Sequence, residues 1–148
     1  MKRIISILVV LICAAAMVAC QTALAAQDVA GPSIDHIETS TKVMAKSDCS
    51  ITSVTVTADI TDQSGIKQVA LWYRVGADQP YTPVDMSFTG GKYSVTVKAL
   101  DVPGGKYGTW EFYITAQDKA GNKSQSPLDT SVQLLACVGD LLKGRLLS

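Results

Sequence analysis

The stretch that decides the fold is residues 110–122, WEFYITAQDKAGN. Apolar and polar side chains alternate through its first seven residues, and a period of two is typical of a β-strand buried on one side. The apolar members all fall on one face: Trp110, Phe112, Ile114 and Ala116. The pattern stops at residues 118–122, where Asp, Gly and Asn are residue types that tight turns use. The sequence therefore predicts a strand with an apolar inner face, followed by a turn.

The same alternation recurs on both sides of this stretch. Further strands are expected at residues 34–38, 53–62, 66–75, 81–88, 93–97 and 130–138, and residues 41–45 are expected to pair as well. Between them, Gly90-Gly91 is typical of a hairpin, and Pro83 confines its run to a sheet edge. An isolated sheet could not bury its apolar face, so two sheets must pack together. The predicted fold class is all-β, an antiparallel β-sandwich of about seven strands.

The N-terminus predicts export. A cationic start, an apolar run at residues 4–19 and the small residues after it together make a secretory signal peptide over residues 1–26. Ala23-Leu24-Ala25 is an ordinary cleavage site for release, whereas Met17-Val18-Ala19-Cys20 resembles a bacterial lipobox, in which the signal ends before Cys20 and that cysteine is lipidated. An uncleaved anchor is disfavoured because the apolar run is at the short edge for a membrane span. The protein is thus expected to be secreted, periplasmic or on the cell surface of a bacterium.

The charge balance argues against a nucleic-acid partner. The chain has 148 residues, with 13 basic residues, 13 acidic residues and one histidine. Removing the signal peptide takes away Lys2 and Arg3, which leaves 11 basic against 13 acidic residues and a net charge of −2. A nearly neutral chain without a basic cluster lacks the electrostatic footprint of a protein that binds nucleic acid.

The four cysteines fall into two groups. Cys13 and Cys20 lie in the predicted signal peptide, and Cys49 and Cys137 remain after it. Export would carry this second pair into an oxidising compartment, where an even number of cysteines normally closes into disulfides. A Cys49–Cys137 disulfide is therefore predicted, with two free thiols as the alternative. No C-x-x-C spacing supports a redox role, and one distant histidine does not complete a zinc ligand set.

The order of strand and turn motifs resembles that of a known group of domains. The motifs are VTVTA at 54–58, DQSGI at 62–66, VALWYRV at 69–75, GKYSV at 91–95 and WEFYITAQDKAGN at 110–122. They resemble bacterial immunoglobulin-like and fibronectin type III-like modules. The resemblance implies an immunoglobulin-like sandwich at residues 27–138, a tail at residues 139–148, and an extracellular role in adhesion, spacing or carbohydrate contact. Antibody-type domains bridge their second and sixth strands, whereas the sixth strand here has no cysteine.

No catalytic constellation is present in the sequence. The single histidine, His36, is not accompanied by a G-x-S-x-G nucleophile elbow, and no H-E-x-x-H, P-loop or dinucleotide-binding motif occurs. Paired carboxylates for sugar hydrolysis would need a cleft that a small sandwich lacks. The sequence therefore predicts that the protein is not an enzyme and needs no catalytic cofactor.

Two sets of residues are candidates for binding. In the implied topology the third and sixth strands are neighbours, which places Trp72, Arg74, Glu111 and Tyr113 on one outward face. Exposed aromatics on a sheet suggest a ligand-binding face, and cross-strand stabilisation is the alternative.

The second set consists of Asp62, Asp118 and Asn122, which should meet at one end of the sandwich and offer the hard oxygen ligands that Ca²⁺ takes. Their alternative role is to cap the tight turns in which they lie, by accepting hydrogen bonds from backbone N–H groups.

Three functions compete at this point. The first is a non-catalytic binding or adhesion module that contacts a surface protein or polysaccharide. The second is a structural spacer or envelope subunit that associates through its edge strands. A small secreted enzyme or enzyme inhibitor is third.

Overall fold

The computed structural model describes residues 27–45, 51–103 and 107–136. Within these ranges the chain forms ten β-strands: β1 (Ser33–Thr39), β2 (Val43–Ala45), β3 (Ser53–Thr61), β4 (Ile66–Val75), β5 (Thr82–Asp85), β6 (Ser87–Thr89), β7 (Lys92–Lys98), β8 (Gly108–Asp118), β9 (Lys123–Gln125) and β10 (Asp129–Leu135). A short 3-10 helix, Ala99–Asp101, follows β7. Across these ranges, no helix is long and apolar enough to cross a membrane.

Several sequence predictions fall outside the described residues. They are the signal peptide at residues 1–26 with its candidate lipidation site Cys20, the pair Cys49 and Cys137, and the tail at residues 139–148. These remain predictions.

The strands form two sheets in a sandwich-like arrangement. One sheet has four strands in the order β1-β3-β7-β6, and the other has six, in the order β2-β10-β8-β4-β5 with β9 also on β8. All pairs are antiparallel except β2 with β10, which is parallel. The expected pairing of residues 41–45 is confirmed by β2.

The longest strand, β8, has its outer edge covered by two short strands in succession. β10 pairs with its first half and β9 with its second half. Buried Ser126 joins them: its backbone N–H donates to the carbonyl oxygen of Ile114, and its hydroxyl accepts from the Ile114 N–H, both at 2.9 Å. The hydroxyl thus replaces a ladder hydrogen bond where the edge strand is interrupted.

The core lies between the two sheets and is built from alternate residues. The buried set from the three longest strands is Val54, Val56, Ala58 and Ile60 from β3, Val69, Leu71, Tyr73 and Val75 from β4, and Trp110, Phe112, Ile114 and Ala116 from β8. This confirms the inward faces that the period of two predicts. The ring of Trp110 packs at 4.7 Å from Phe112 and 5.6 Å from Tyr73, measured between ring centroids.

The prediction of one edge strand at residues 81–88 was wrong. The run contains two strands in different sheets, because β5 pairs with β4 and β6 pairs with β7. The chain crosses between the sheets at Met86, whose side chain is buried and whose N–H donates to the carbonyl oxygen of Val69 at 2.9 Å. Short pieces of this kind raise the strand count above the predicted seven.

The predicted hairpin at Gly90-Gly91 is confirmed between β6 and β7. The two glycines have φ angles of 61° and 88°, which a two-residue hairpin needs at both central positions. No atom lies within 4 Å of a Cβ added at either residue. Backbone conformation, rather than crowding, therefore requires glycine here.

Candidate functional site

The four residues of the predicted ligand-binding face lie together on the outer face of the six-stranded sheet. In the antiparallel register of β4 and β8, Trp72 is opposite Tyr113 and Arg74 is opposite Glu111. All four side chains are half-buried, since the core lies on the other side of the sheet. The structure thus brings the whole predicted set together, and what this face binds is a separate question.

Arg74 and Glu111 form an ion pair that is shielded from solvent. Nε of Arg74 donates to Oε2 of Glu111 at 2.7 Å, and the two side chains are only 22% and 20% exposed. The guanidinium also donates to the carbonyl oxygen of Ala77 at 3.0 Å. The hydrogen bond to Glu111 raises the pKa of Arg74 above its ordinary value, although burial acts in the opposite direction. The pair contributes no net charge to the face.

Tyr81 belongs to the same cluster, and the sequence analysis missed it. Its ring lies edge-on to Tyr113 at 4.9 Å between centroids, and the Arg74 guanidinium sits 4.4 Å from its centroid. Its hydroxyl donates to Glu111 at 3.4 Å. Burial raises the pKa of Tyr81, and nearby Arg74 opposes that rise. Pairing of β5 with β4 brings Tyr81 beside Arg74, but the sequence alone did not fix that register.

Trp72 is held in place at the centre of this face. Its ring is nearly parallel to that of Tyr113, with 6° between the planes and 6.2 Å between the centroids. The indole Nε1 donates to Oγ1 of Thr115 at 3.0 Å. The ring orientation is therefore fixed by both an aromatic and a polar contact.

A groove of about 430 Å³ begins at Trp72 and runs over β4, β8 and β9. Its outward-facing lining residues are Gln68, Trp72, Thr115, Gln117, Lys123 and Gln125. Three of these are amides that can donate and accept hydrogen bonds. Gln68 donates to Asp85 at 3.3 Å and Gln117 to the carbonyl oxygen of Gly121 at 3.4 Å, while Gln125 makes no side-chain hydrogen bond to any described residue. The sequence analysis did not find this groove, because it depends on the pairing of β9 with β8.

The second candidate set lies at one end of the sandwich, where the β3–β4 and β8–β9 turns meet. Asp118 is fully buried and accepts hydrogen bonds from Gly121 N at 2.6 Å, Asn122 N at 2.8 Å and Asn122 Nδ2 at 2.7 Å. Asp62 accepts from the backbone N–H and the hydroxyl of Ser64, both at 2.7 Å. Both aspartates therefore cap their turns, as the alternative interpretation expected.

A third aspartate joins Asp62 and Asp118. One carboxylate oxygen from each of Asp28, Asp62 and Asp118 lies within 4.8 Å of the others. Asn122, predicted as an oxygen ligand, offers its amide nitrogen instead: Nδ2 donates to Asp118 and, at 3.1 Å, to the carbonyl oxygen of Asp28. No local pattern marks Asp28, which precedes β1 and reaches this end only in the folded chain.

Opposing effects act on the Asp118 carboxyl. Burial raises its pKa, but hydrogen bonds from the Asn122 side chain and from backbone N–H groups outweigh burial, so the pKa lies below its ordinary value. Asp118 is thus a carboxylate at neutral pH.

Comparisons with known proteins give little further information. No protein-family model and no curated protein matches this chain. Among solved structures, the chain is similar to a crystal structure of a bromine derivative of BhCBM56, with 16% identity and a TM-score of 0.40. The match covers 55% of this chain and 80% of that one. A likeness of this size carries no argument about function, so the proposals below rest on the described residues.

Proposed function

We propose that the protein is a non-catalytic, exported binding module that holds a surface polysaccharide on the outer face of its six-stranded sheet. The observation that carries the proposal is the fixed aromatic cluster of Trp72, Tyr113 and Tyr81 beside a groove lined by amides and a hydroxyl. Half-buried aromatics on an outer sheet face are the kind of surface that marks a binding site.

The chemistry of the groove favours a glycan. A sugar ring presents apolar C–H faces, which pack on aromatic rings, and a rim of hydroxyls, which pair with groups that both donate and accept hydrogen bonds. Trp72 supplies the aromatic surface, and Gln68, Gln117 and Gln125 supply the amides. A few fixed polar groups around an apolar contact are typical of ligand sites.

The charge of the face favours a neutral glycan. Arg74 and Glu111 neutralise each other at 2.7 Å. Lys123 is the one charged residue among those that line the described groove. A strongly acidic polymer would find no cluster of cations here.

The sheet edges argue against the alternative of association through edge strands. β5 has four residues and contains Pro83, and β2 and β6 have three residues each. The longest edge strand, β1, is interrupted by a bulge between Asp35 and Glu38, where His36 has a φ of 48°. Short, irregular and proline-containing edges are the features by which proteins prevent strand addition.

The strand order supports the further proposal that the sandwich is immunoglobulin-like. That fold has one sheet in the order A-B-E-D and another containing C, F and G, with F between C and G. Assigning β1, β3, β7 and β6 to the first sheet, and β4, β8 and β10 to the second, matches the observed neighbours.

Export is part of the proposal and rests on the N-terminal sequence. A signal peptide at residues 1–26 would deliver the domain either as a released protein or anchored through Cys20. The same export would favour the Cys49–Cys137 disulfide.

A binding assay with matched variants tests the proposed function. We expect the exported protein to be retained on at least one polysaccharide of a neutral panel (cellulose, xylan, mannan and starch). Trp72→Ala should weaken that binding by tenfold or more, because the central aromatic surface is lost. Gln125→Ala should weaken it with no change in stability, since this amide makes no side-chain hydrogen bond to a described residue.

Phe88→Ala is the matched control, because Phe88 is an aromatic residue, 64% exposed, on the other sheet. It should bind as the wild type does, and circular dichroism should show that every variant is folded. Equal binding by folded Trp72→Ala and wild type would contradict the proposal. Retention on cell-surface protein but on no glycan would replace it with the protein-binding alternative.

A further inference from the structure

We propose that Asp28, Asp62 and Asp118 form a calcium site that ties the N-terminal segment to the two turns at one end of the sandwich. The site is separate from the proposed glycan face. It involves three parts of the chain: the segment before β1, the β3–β4 turn and the end of β8.

The spacing of the oxygens fits one ion. Ca²⁺ binds oxygen ligands at about 2.3–2.6 Å, so ligands on opposite sides of the ion are about 4.6–5.2 Å apart. One oxygen from each of the three aspartates lies within 4.8 Å of the other two. All three can therefore belong to a single coordination sphere.

An orphaned oxygen points independently to a missing ligand. Oδ1 of Asp28 accepts a hydrogen bond from the backbone N–H of Ala30 at 3.1 Å. Oδ2 of the same carboxylate is buried and has no hydrogen-bond partner. A buried carboxylate oxygen without a partner is costly, and a cation at this position would supply what it lacks.

The charge of the cluster is also uncompensated within the described residues. No lysine or arginine nitrogen there comes within 4.0 Å of these three carboxylates, although Lys119 lies over Gly65 in the adjoining turn. Three carboxylates this close repel one another, and Asp118 has no contact with solvent. A divalent cation would remove that repulsion.

The donor set selects a hard cation. All three ligands are carboxylates, and no cysteine or histidine takes part in the described cluster. Oxygen-only sites of this kind suit Ca²⁺, whose remaining positions can be filled by carbonyl oxygens or water. Asn122 acts as a positioning residue, because its amide nitrogen holds both Asp118 and the backbone of Asp28.

The test is calorimetric titration of the EDTA-treated exported protein with CaCl₂. We expect one Ca²⁺ per chain and a thermal midpoint that rises with the logarithm of the free Ca²⁺ concentration. Backbone amide exchange around residues 28–31 should slow on Ca²⁺ addition, because the ion would tie this segment to the turns. Asp28→Asn should weaken Ca²⁺ binding tenfold or more while the protein stays folded.

Asp35→Asn is the matched control, because Asp35 is an exposed aspartate on neighbouring β1, and it should bind Ca²⁺ as the wild type does. Absence of Ca²⁺ binding by the wild type, or equal binding by Asp28→Asn, would overturn the proposal. An equal response to Mg²⁺ would overturn the assignment of calcium. Since none of these measurements uses a glycan, failure of the glycan assay leaves this test unaffected.

Discussion

At the scale of single residues, Asp118 shows how local hydrogen bonds determine the state of a buried group. Its side chain is fully buried, and burial alone would favour the neutral acid. Hydrogen bonds from Asn122 and the turn backbone favour the anion and lower the pKa below the ordinary value of 3.8. The carboxylate is thereby both a turn cap and a charged group at the end of the sandwich.

This lowered pKa predicts how stability depends on pH. Below about pH 4 the unfolded chain binds a proton at Asp118 more readily than the folded chain does, so the free energy of unfolding falls as the pH falls through the folded pKa. The stabilising contribution is fully present above the ordinary pKa of 3.8. Urea unfolding of the wild type and Asp118→Asn at a series of pH values, with EDTA present, measures it.

We expect the wild type to lose more stability than Asp118→Asn across this acid range. The variant should be less stable at neutral pH, because asparagine cannot accept all the hydrogen bonds that the carboxylate accepts. Parallel curves for the two proteins would contradict the prediction.

At the scale of the elements, the interrupted edge strand depends on Ser126. This serine is 5% exposed, and its hydroxyl accepts from Ile114 N and donates to the carbonyl oxygen of Pro127 at 3.0 Å. Without the hydroxyl, the Ile114 N–H would be left buried and unpaired between β9 and β10.

Ser126→Ala should therefore destabilise the protein by about 1–3 kcal/mol, the usual cost of an unsatisfied buried donor. Ser87→Ala, at an exposed position of β6, is the control and should change stability by less than about 0.5 kcal/mol. Chemical unfolding at neutral pH measures both. A Ser126→Ala variant as stable as Ser87→Ala would show that the hydroxyl is not needed at the break.

The elements also show what could be predicted from the sequence. Alternation is a local signal, so the inner faces of β3, β4 and β8 and the outward position of Trp72 followed from it. The crossing at Met86 was missed, because nothing local distinguishes one edge strand from two that leave the run for different sheets. Tyr81 and Asp28 were missed for a related reason, since each reaches its site only through contacts distant in the chain.

At the scale of the whole molecule, the two sheets have different outer surfaces. The outer face of the six-stranded sheet carries the Trp72, Tyr81 and Tyr113 cluster and the groove. The outer face of the four-stranded sheet includes Thr55 and Thr96, whose hydroxyls hydrogen-bond across the strands at 2.8 Å. The account therefore assigns binding to one side of the sandwich.

Amide chemical-shift mapping tests this assignment most directly. The ¹⁵N-labelled exported protein would be titrated with oligosaccharide fragments of the neutral polysaccharide that retains it. The account predicts that the largest shifts occur at the Trp72 indole N–H and at the amides of Thr115, Gln117 and Gln125. Shifts concentrated around Thr55 and Thr96, with the Trp72 indole unchanged, would contradict it.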